Sequence, residues 1–366
     1  MYHKYNRLRR LTGKIHLWLG MATGMIVLVV GLTGCLYTFM DEIRPLVYHD
    51  RMYSPAPAGR PLLALPKLQR IAEQALGRKE SMLDIQVFTD PQRTIVFRYR
   101  DRNNRSNWYP SYFIHYDRMY LNPRTGKVIC LENSKWEFFN VVVMLHCSLL
   151  LGNLGKQIIT WSTVVFVVML LSGLYLWWPK NRAAAGKRFR FKWKAGTNRK
   201  RKNYDLHQIP GFYSAVFTLC IAVSGLVMVW YPSSSHQMTM GRQKVSSTAM
   251  DKAFAQVLQE SPDAEEFRIY PAKQSAEPLV IRSFSKKSTH YADHEYCFDG
   301  TTGLQLMHSS FSGLTNGGKL HELSYDIHVG AIGGLPGKML AFLASLTAAA
   351  LPVTGFLIWK ARKNKS

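Results

Sequence analysis

The sequence predicts a membrane α-helical protein with four transmembrane helices in two tandem repeats, each repeat carrying an α+β domain outside the membrane. Four apolar segments predict the helices, because each approaches the roughly 20 residues that a helix needs to cross a bilayer. They lie at 15–39, 157–178, 209–231 and 338–359. Long polar blocks separate the first segment from the second and the third from the fourth. The distribution of charge and an internal repeat complete the prediction.

Basic residues cluster beside the apolar segments and predict the topology. The net charge is +24, and residues 180–202 alone carry eleven Lys or Arg and no acid. Residues 1–14 and the tail after Trp359 are also basic. By the positive-inside rule these three stretches face the cytoplasm, so both polar blocks face the periplasm of a bacterium. We therefore expect a multi-pass protein of the bacterial inner membrane, and we do not expect nucleic-acid binding.

This topology divides the chain into alternating membrane and outer segments. In chain order we predict a cytoplasmic N-terminus (1–14), the first span (15–39), an outer domain (40–140), a pre-helix with the second span (141–178), a basic cytoplasmic loop (179–206), the third span (207–231), a second outer domain (232–325), a pre-helix with the fourth span (326–359) and a cytoplasmic tail (360–366).

Cysteines raise two further questions. The stretch L-T-G-C at 32–35 resembles a lipoprotein processing site, but the apolar run continues beyond Cys35, so we expect a span rather than a cleaved signal. Cys130 and Cys297 lie in the outer blocks, and the sequence leaves open whether they pair.

Four histidines occupy matching places in the two halves of the chain. One pair opens the first and third spans, and the other precedes the second and fourth spans. In that order they are His16, His207, His146 and His328. A glycine follows eighteen residues after each member of the first pair and twenty-seven after each member of the second. With two spans per repeat, both repeats insert in the same orientation, and their symmetry axis runs along the membrane normal.

The outer blocks repeat as well. Each begins with a helical pattern, at 65–77 and 250–258, and continues in alternating strand-like runs. Each then reaches a T-G turn, at 122–128 and 299–305. The pattern predicts one helix packed on a small antiparallel sheet in each outer domain.

The histidines predict a cofactor. A duplicated protein places equivalent residues opposite one another across its axis, which gives one pair near the cytoplasmic face, His16 with His207, and one near the outer face, His146 with His328. Two facing histidines are the ligand set of a six-coordinate b-type haem. We therefore predict two b-type haems, with these four side chains ligating the haem irons. No C-x-x-C-H motif occurs, which excludes covalent c-type attachment.

Small residues on the histidine-bearing helices support this hypothesis. Eighteen residues make about five helical turns, so the glycine at that spacing lies on the same helix face as its histidine. Such a face gives a flat porphyrin room, although small residues also pack membrane helices against each other. The candidate haem-facing residues are Gly20, Gly24, Gly34, Gly211 and Gly225.

Other chemical motifs are weaker. His290 and His294 have a metal-like spacing in H-Y-A-D-H, but in a strand we expect them to face solvent. Tyrosines at 109, 112, 116 and 120 alternate partly with strand period, which favours core packing over a ligand-facing patch. The sequence has no nucleotide-binding glycine loop and no flavin fingerprint. It therefore identifies no catalytic residue beyond the histidines.

Several motifs together resemble a known family. H-L-W-L-G followed by L-T-G, the two T-G turns, and H-x5-G-x2-G-K followed by S-G-L-Y-L-W-W are similar to those of the PepSY-associated transmembrane-helix family. The resemblance covers nearly the whole chain and implies PepSY-like outer domains. Gln208 and Pro210 interrupt the apolar stretch that usually follows the histidine, which leaves the start of the third helix open.

The resemblance also implies a function. Members are bacterial inner-membrane proteins, often iron-regulated, and some are similar to di-haem reductases that release iron from ferric siderophores. We therefore expect a transmembrane haem oxidoreductase embedded in lipid, with a separate cytoplasmic electron donor and a periplasmic ferric chelate or siderophore as acceptor. The basic loop 180–202 is suited to dock an acidic donor. The alternatives are a scaffold or regulator that binds proteins through its outer domains, and a permease with the histidines in an ion path.

Overall fold

A computed structural model of the protein describes residues 2–55, 60–78, 82–179, 188–230, 246–271, 278–285 and 290–363. Residues 180–187 of the predicted basic loop and 232–245 at the start of the second outer domain lie outside these ranges. The helices are α1 (Tyr2–Thr38), α2 (Met40–Val47), α3 (His49–Met52), α4 (Leu65–Leu76), α5 (Tyr109–Tyr112), α6 (Phe138–Ser148), α7 (Gly152–Trp177), α8 (Arg199–Trp230), α9 (Ser247–Glu260), α10 (Asn316–Val329) and α11 (Gly334–Lys363). The strands are β1 (Met82–Phe88), β2 (Ile95–Arg102), β3 (Phe113–Leu121), β4 (Val128–Asn133), β5 (Ala264–Tyr270), β6 (Leu279–Ser285), β7 (His294–Phe298) and β8 (Gln305–Ser310).

These elements form two compact units. The first comprises Met1–Phe39, Val142–Tyr231 and Ile327–Ser366, and the second comprises Met40–Val141 and Pro232–Asp326. Each unit therefore draws on both halves of the chain.

Four long helices build the first unit. α1, α7, α8 and α11 contain the segments long and apolar enough to cross a membrane, and the protein is a helical membrane protein. α1 packs against α7 and α11, and α8 packs against the same two helices, so the four form a closed bundle. Each helix is longer than its apolar segment. α8 begins at Arg199 and continues through Pro210, which places His207 well inside the helix.

Sharp turns precede two of these helices. After α6 ends at Ser148, Leu149 and Leu150 adopt left-handed backbone conformations with φ of 50° and 59°. The chain then folds back so closely that a Cβ on Gly155 would lie 1.7 Å from the Ser148 carbonyl oxygen. The corresponding Gly337 also lies against the backbone, since its Cβ would be 2.2 Å from the carbonyl oxygen of Gly330. The helical backbone is therefore interrupted at Leu149 and Leu150. The sequence G-N-L-G at 152–155 follows this interruption and begins α7.

The second unit contains one eight-stranded antiparallel sheet in the order β4-β3-β2-β1-β5-β6-β7-β8. The first four strands and the last four meet where β1 pairs with β5, for example at Ile85 opposite Ile269. This pairing satisfies the backbone groups of what would otherwise be two exposed edges. One face of the sheet packs against α4 and α9, where alternate strand residues such as Phe97, Met119 and Phe267 are fully buried.

An ionic cluster lies elsewhere in the second unit. The imidazole of His290 is bracketed by two carboxylates, with Nδ1 2.6 Å from Asp326 Oδ1 and Nε2 2.8 Å from Asp41 Oδ2. Asp326 is fully buried. Burial alone lowers the pKa of His290, but the two carboxylates outweigh it and raise that pKa to about 9.

This cluster makes stability depend on pH. Because the pKa of folded His290 lies above its ordinary value of 6.5, the stabilisation is complete below about pH 6.5 and is lost as the pH rises through about 9. We expect His290→Gln to cost about 1–3 kcal/mol of unfolding free energy at pH 6 and little at pH 10. Denaturant unfolding of both proteins at the two pH values measures this difference. A cost that is the same at both values would contradict the ion-pair assignment.

Candidate functional site

His16 on α1 faces His207 on α8 inside the helix bundle. Their ring centroids are 6.5 Å apart and the ring planes are nearly perpendicular, at 88°. Each ring is also held from the side by a third helix. Nδ1 of His16 lies 2.9 Å from the hydroxyl of Ser172 on α7, and Nδ1 of His207 lies 2.8 Å from that of Thr354 on α11.

His146 and His328 form a second pair of the same kind. Their centroids are 5.9 Å apart at an interplanar angle of 73°. Nδ1 of His146 lies 3.0 Å from the carbonyl oxygen of Val30, and Nδ1 of His328 lies 2.8 Å from that of Ile221. The sequence predicted both pairs, and the structure brings each of them together.

The hydrogen bonds define the tautomer of these imidazoles. A carbonyl oxygen only accepts, so Nδ1 of His146 and of His328 carries the proton. Ser172 donates its hydroxyl proton to the carbonyl of Met169, and its oxygen therefore accepts from Nδ1 of His16. Thr354 does the same through carbonyls of its own helix. Every ring thus presents an unprotonated Nε2, the form in which histidine binds a metal.

A glycine lies against each imidazole. A Cβ added at the glycine would come within 3.1–3.4 Å of the ring Cε1 in all four cases. The matched glycine and histidine pairs are Gly173 with His16, Gly355 with His207, Gly34 with His146 and Gly225 with His328. A Cβ at any of these positions would make a tight contact, and the ring would have to shift by a few tenths of an ångström.

Two of these glycines have a different neighbour from the one predicted. Helical spacing predicts that Gly34 and Gly225 face a porphyrin on their own helix, whereas the structure places them against histidine rings of other elements. Each follows a Ser or Thr, so a hydroxyl and a glycine act as one ring-holding dipeptide. This dipeptide occurs four times, as Thr33-Gly34, Ser172-Gly173, Ser224-Gly225 and Thr354-Gly355. That recurrence was the available signal for the hydroxyl partners, to which the sequence analysis gave no role.

A cavity of about 660 Å³ surrounds His16 and His207. The other three predicted small residues, Gly20, Gly24 and Gly211, line it. Its walls are mostly apolar, and its volume lies within the roughly 300–1,000 Å³ typical of cofactor sites. A Cβ added at any of the three would come within 2.9–3.2 Å of a side chain of α7 or α11, so these glycines also allow the helices to pack closely.

The histidine geometry fits a bis-imidazole metal site. A metal–imidazole bond is about 2 Å long, so two nitrogens that flank one metal are about 4 Å apart and their ring centroids about 6 Å apart. The measured separations of 6.5 and 5.9 Å bracket that value. Together with the unprotonated Nε2 atoms, they fit the predicted haem ligation at both pairs, and the cavity adds room for the cofactor at His16 and His207.

The other candidate residues, His290, His294, Cys130 and Cys297, do not form a metal site or a disulfide within the described ranges. His290 belongs to the ionic cluster, while His294 Nδ1 lies 3.0 Å from Nε2 of His308, so the H-Y-A-D-H spacing does not bring its two histidines together. Among the described residues, no group of three or more His, Cys, Asp or Glu could hold a metal ion. Cys130 and Cys297 are both free thiols.

Comparison with known proteins identifies the family. None of the curated proteins matches the chain significantly. The family model described as the PepSY-associated TM region matches residues 14–362, which is almost the entire chain and includes all four histidines. The protein therefore belongs to the PepSY-associated transmembrane family.

Proposed function

We propose that this protein is a di-haem membrane oxidoreductase that moves electrons from a cytoplasmic donor to a ferric chelate, such as a siderophore, on the periplasmic side. One observation carries the proposal: two half-buried histidine pairs, each at the spacing of a bis-imidazole site and each oriented by a hydroxyl–glycine dipeptide. His16 with His207, and His146 with His328, are the proposed haem ligands. Bound haem supplies one-electron chemistry, since its iron alternates between the ferric and ferrous states.

The residues of the bundle perform three tasks in this proposal. The four histidines offer Nε2, and the dipeptides hold each ring in its orientation. The tautomer is fixed by the hydroxyl oxygens at His16 and His207 and by backbone carbonyls at His146 and His328. The Nδ1 hydrogen bonds increase the basicity of the ligands, which favours the ferric state. The apolar walls exclude water, and burial of this kind tunes reduction potentials.

The two pairs are suitably separated for transfer across a membrane. Gly34, which contacts His146, lies eighteen residues beyond His16 on α1, a rise of about 27 Å. The hydrocarbon core of a bilayer is about 30 Å thick. The pairs therefore serve opposite faces in the proposed topology, with both termini in the cytoplasm and the protein in the bacterial inner membrane.

The tandem duplication provides the symmetry of the proposed site. It places equivalent histidines across one axis and gives each repeat two spans and a PepSY-like outer domain. The donor is a separate protein, and the basic residues 188–202 offer it a cationic docking surface.

Reduction of ferric chelates by membrane vesicles tests the activity. Inverted vesicles that contain the protein, given a low-potential donor outside and ferric chelate trapped inside, should form ferrous iron within the lumen, detected by a ferrous-specific chromophore sealed inside. Vesicles with the His16→Ala/His207→Ala protein should not. Equal rates in the two preparations would refute the reductase.

A hydroxyl partner should tune the potential without being essential. Removing the Nδ1 partner of His16 by Ser172→Ala reduces ligand basicity, so we expect haem to be retained and one midpoint potential to rise. Ser162→Ala is the matched control, because Ser162 is a buried serine of the same helix. Redox titration followed in the visible spectrum separates the outcomes. A shift in the control of the same size, or none in Ser172→Ala, would contradict the assigned hydrogen bond.

A further inference from the structure

The sheet face opposite α4 and α9 is rich in arginine. Strand alternation directs Phe97 and Tyr99 of β2 to the helix-covered core and leaves the intervening residues on the other face. Residues of β3, β5 and β6 continue this arrangement, with Arg98 opposite Arg118 and Arg268 opposite Arg282. The arginines of this face are Arg98, Arg100, Arg102, Arg118, Arg268 and Arg282.

Four of these arginines are neutralised by carboxylates. Arg98 binds Asp84 through two hydrogen bonds. The other three make ion pairs with carboxylates of their own or neighbouring strands, at 2.5–3.2 Å. These pairs are Arg118 with Glu132, Arg268 with Glu266 and Arg282 with Glu295.

Arg100 and Arg102 differ from these four arginines in their partners. Within the described part of the chain, neither makes an ion pair with a carboxylate. Their guanidinium groups lie over aromatic rings instead, Arg100 at 5.8 Å from the centre of Tyr116 and Arg102 at 5.7 Å from that of Tyr112. Arg100 is half-buried and Arg102 is exposed, so the pair opens to solvent at the Arg102 end.

The surroundings of Arg100 concentrate positive charge. Burial first, and then the cations Arg102 and Arg98, lower the pKa of Arg100 from its ordinary value. Burial raises the pKa of Tyr116, but three neighbouring arginines, first Arg118, outweigh it and lower that pKa. Both shifts reflect the closeness of several guanidinium groups, of which Arg98 and Arg118 are paired with carboxylates while Arg100 and Arg102, among the described residues, are not.

We propose that Arg100 and Arg102, with the rings of Tyr116 and Tyr112, form a binding site for an anionic, oxygen-rich metal chelate. Guanidinium groups form forked hydrogen bonds to carboxylate or catecholate oxygens, and the buried rings of Tyr116 and Tyr112 support them from below. As a substrate site this rests on the proposed reductase function, and it specifies anionic ferric chelates over neutral or cationic ones. As a binding site it stands without haem.

A redox-inert metal makes the test independent of electron transfer. Gallium(III) replaces iron(III) in siderophore-type chelates and is not reduced. The full-length protein in nanodiscs of zwitterionic lipid is titrated calorimetrically with an anionic gallium tris-catecholate and with a cationic gallium trihydroxamate. We expect the anionic chelate to bind more tightly, with an affinity that falls as salt rises.

Substitution of Arg100 locates the site. Loss of one charge-assisted hydrogen-bonding group corresponds to about ten- to hundredfold weaker binding, which we expect for Arg100→Gln and, to a lesser extent, for the exposed Arg102→Gln. Arg70→Gln is the matched control, because Arg70 is an exposed arginine on α4, which covers the opposite sheet face. It should bind like the wild type.

Three results of the gallium-chelate titrations would contradict the proposed site. Equal affinity for both gallium chelates, or unchanged affinity in both Arg100→Gln and Arg102→Gln, would overturn it. So would an equal loss in Arg70→Gln. Failure of this test in a protein that carries haem leaves the reductase function intact, whereas charge-selective gallium binding to a haem-free protein supports the site and not the reductase.

Discussion

His207→Ala should halve the haem content of the purified protein. The substitution removes Nε2 from the pair with His16, and one imidazole in an open apolar cavity does not complete a six-coordinate site. The other pair, His146 with His328, is hydrogen-bonded to the carbonyl oxygens of Val30 and Ile221. The substitution changes neither of these bonds, so we expect the haem of this pair to remain. Haem per protein is measured as the pyridine haemochrome.

The matched control is His49→Ala, because His49 is a largely exposed histidine outside the bundle. It should retain full haem content. His16→Ala should reproduce the His207→Ala result, since both belong to the same pair. Loss of both haems together, or of neither, would contradict the pairing of His16 with His207.

His146→Ala should abolish delivery of electrons to an external ferric chelate while leaving one haem reducible. An outer-shell partner of a metal ligand contributes about ten- to hundredfold to affinity or activity, and removal of a ligand itself exceeds that, so we expect a rate loss above about a hundredfold. Stopped-flow spectroscopy follows reduction of the remaining haem by a donor, and the appearance of ferrous iron is measured in the same sample.

Cys147→Ser provides the control for this experiment, because Cys147 adjoins His146 in α6 and is a free, exposed thiol. It should reduce both haems and the chelate at normal rates. Chelate reduction at the normal rate by His146→Ala would show that electrons leave by a route without the His146–His328 pair.

The sequence predicts the histidine pairs because repeated motifs place the histidines at matching positions in the two halves of the chain. Spacing along a helix also identified Gly20, Gly24 and Gly211, which line the cavity. The pattern could not reveal which helix lies next to which. Gly34 is on the same face of α1 as His16, but about five turns away, and its neighbour is therefore the ring of His146.

The pairing that joins the strands of the two outer segments into one sheet could not be predicted from the sequence either. Alternation predicts strands and their buried face, but the register of Ile85 opposite Ile269 is a long-range pairing between outer segments far apart in the chain. Arg100 shows the same limit. The pattern R-Y-R-D-R at 98–102 predicts a charged strand face, whereas only the packed structure assigns Asp84 to Arg98 and leaves Arg100 beside Tyr116.

Haem binding at the two histidine pairs is tested by the visible absorption spectrum of the purified protein, expressed with ample haem. We expect a Soret band, sharp α and β bands on reduction, as for low-spin bis-histidine haem, and two haems per chain by pyridine haemochrome assay. Protein that is folded but lacks a Soret band would contradict haem binding at these pairs.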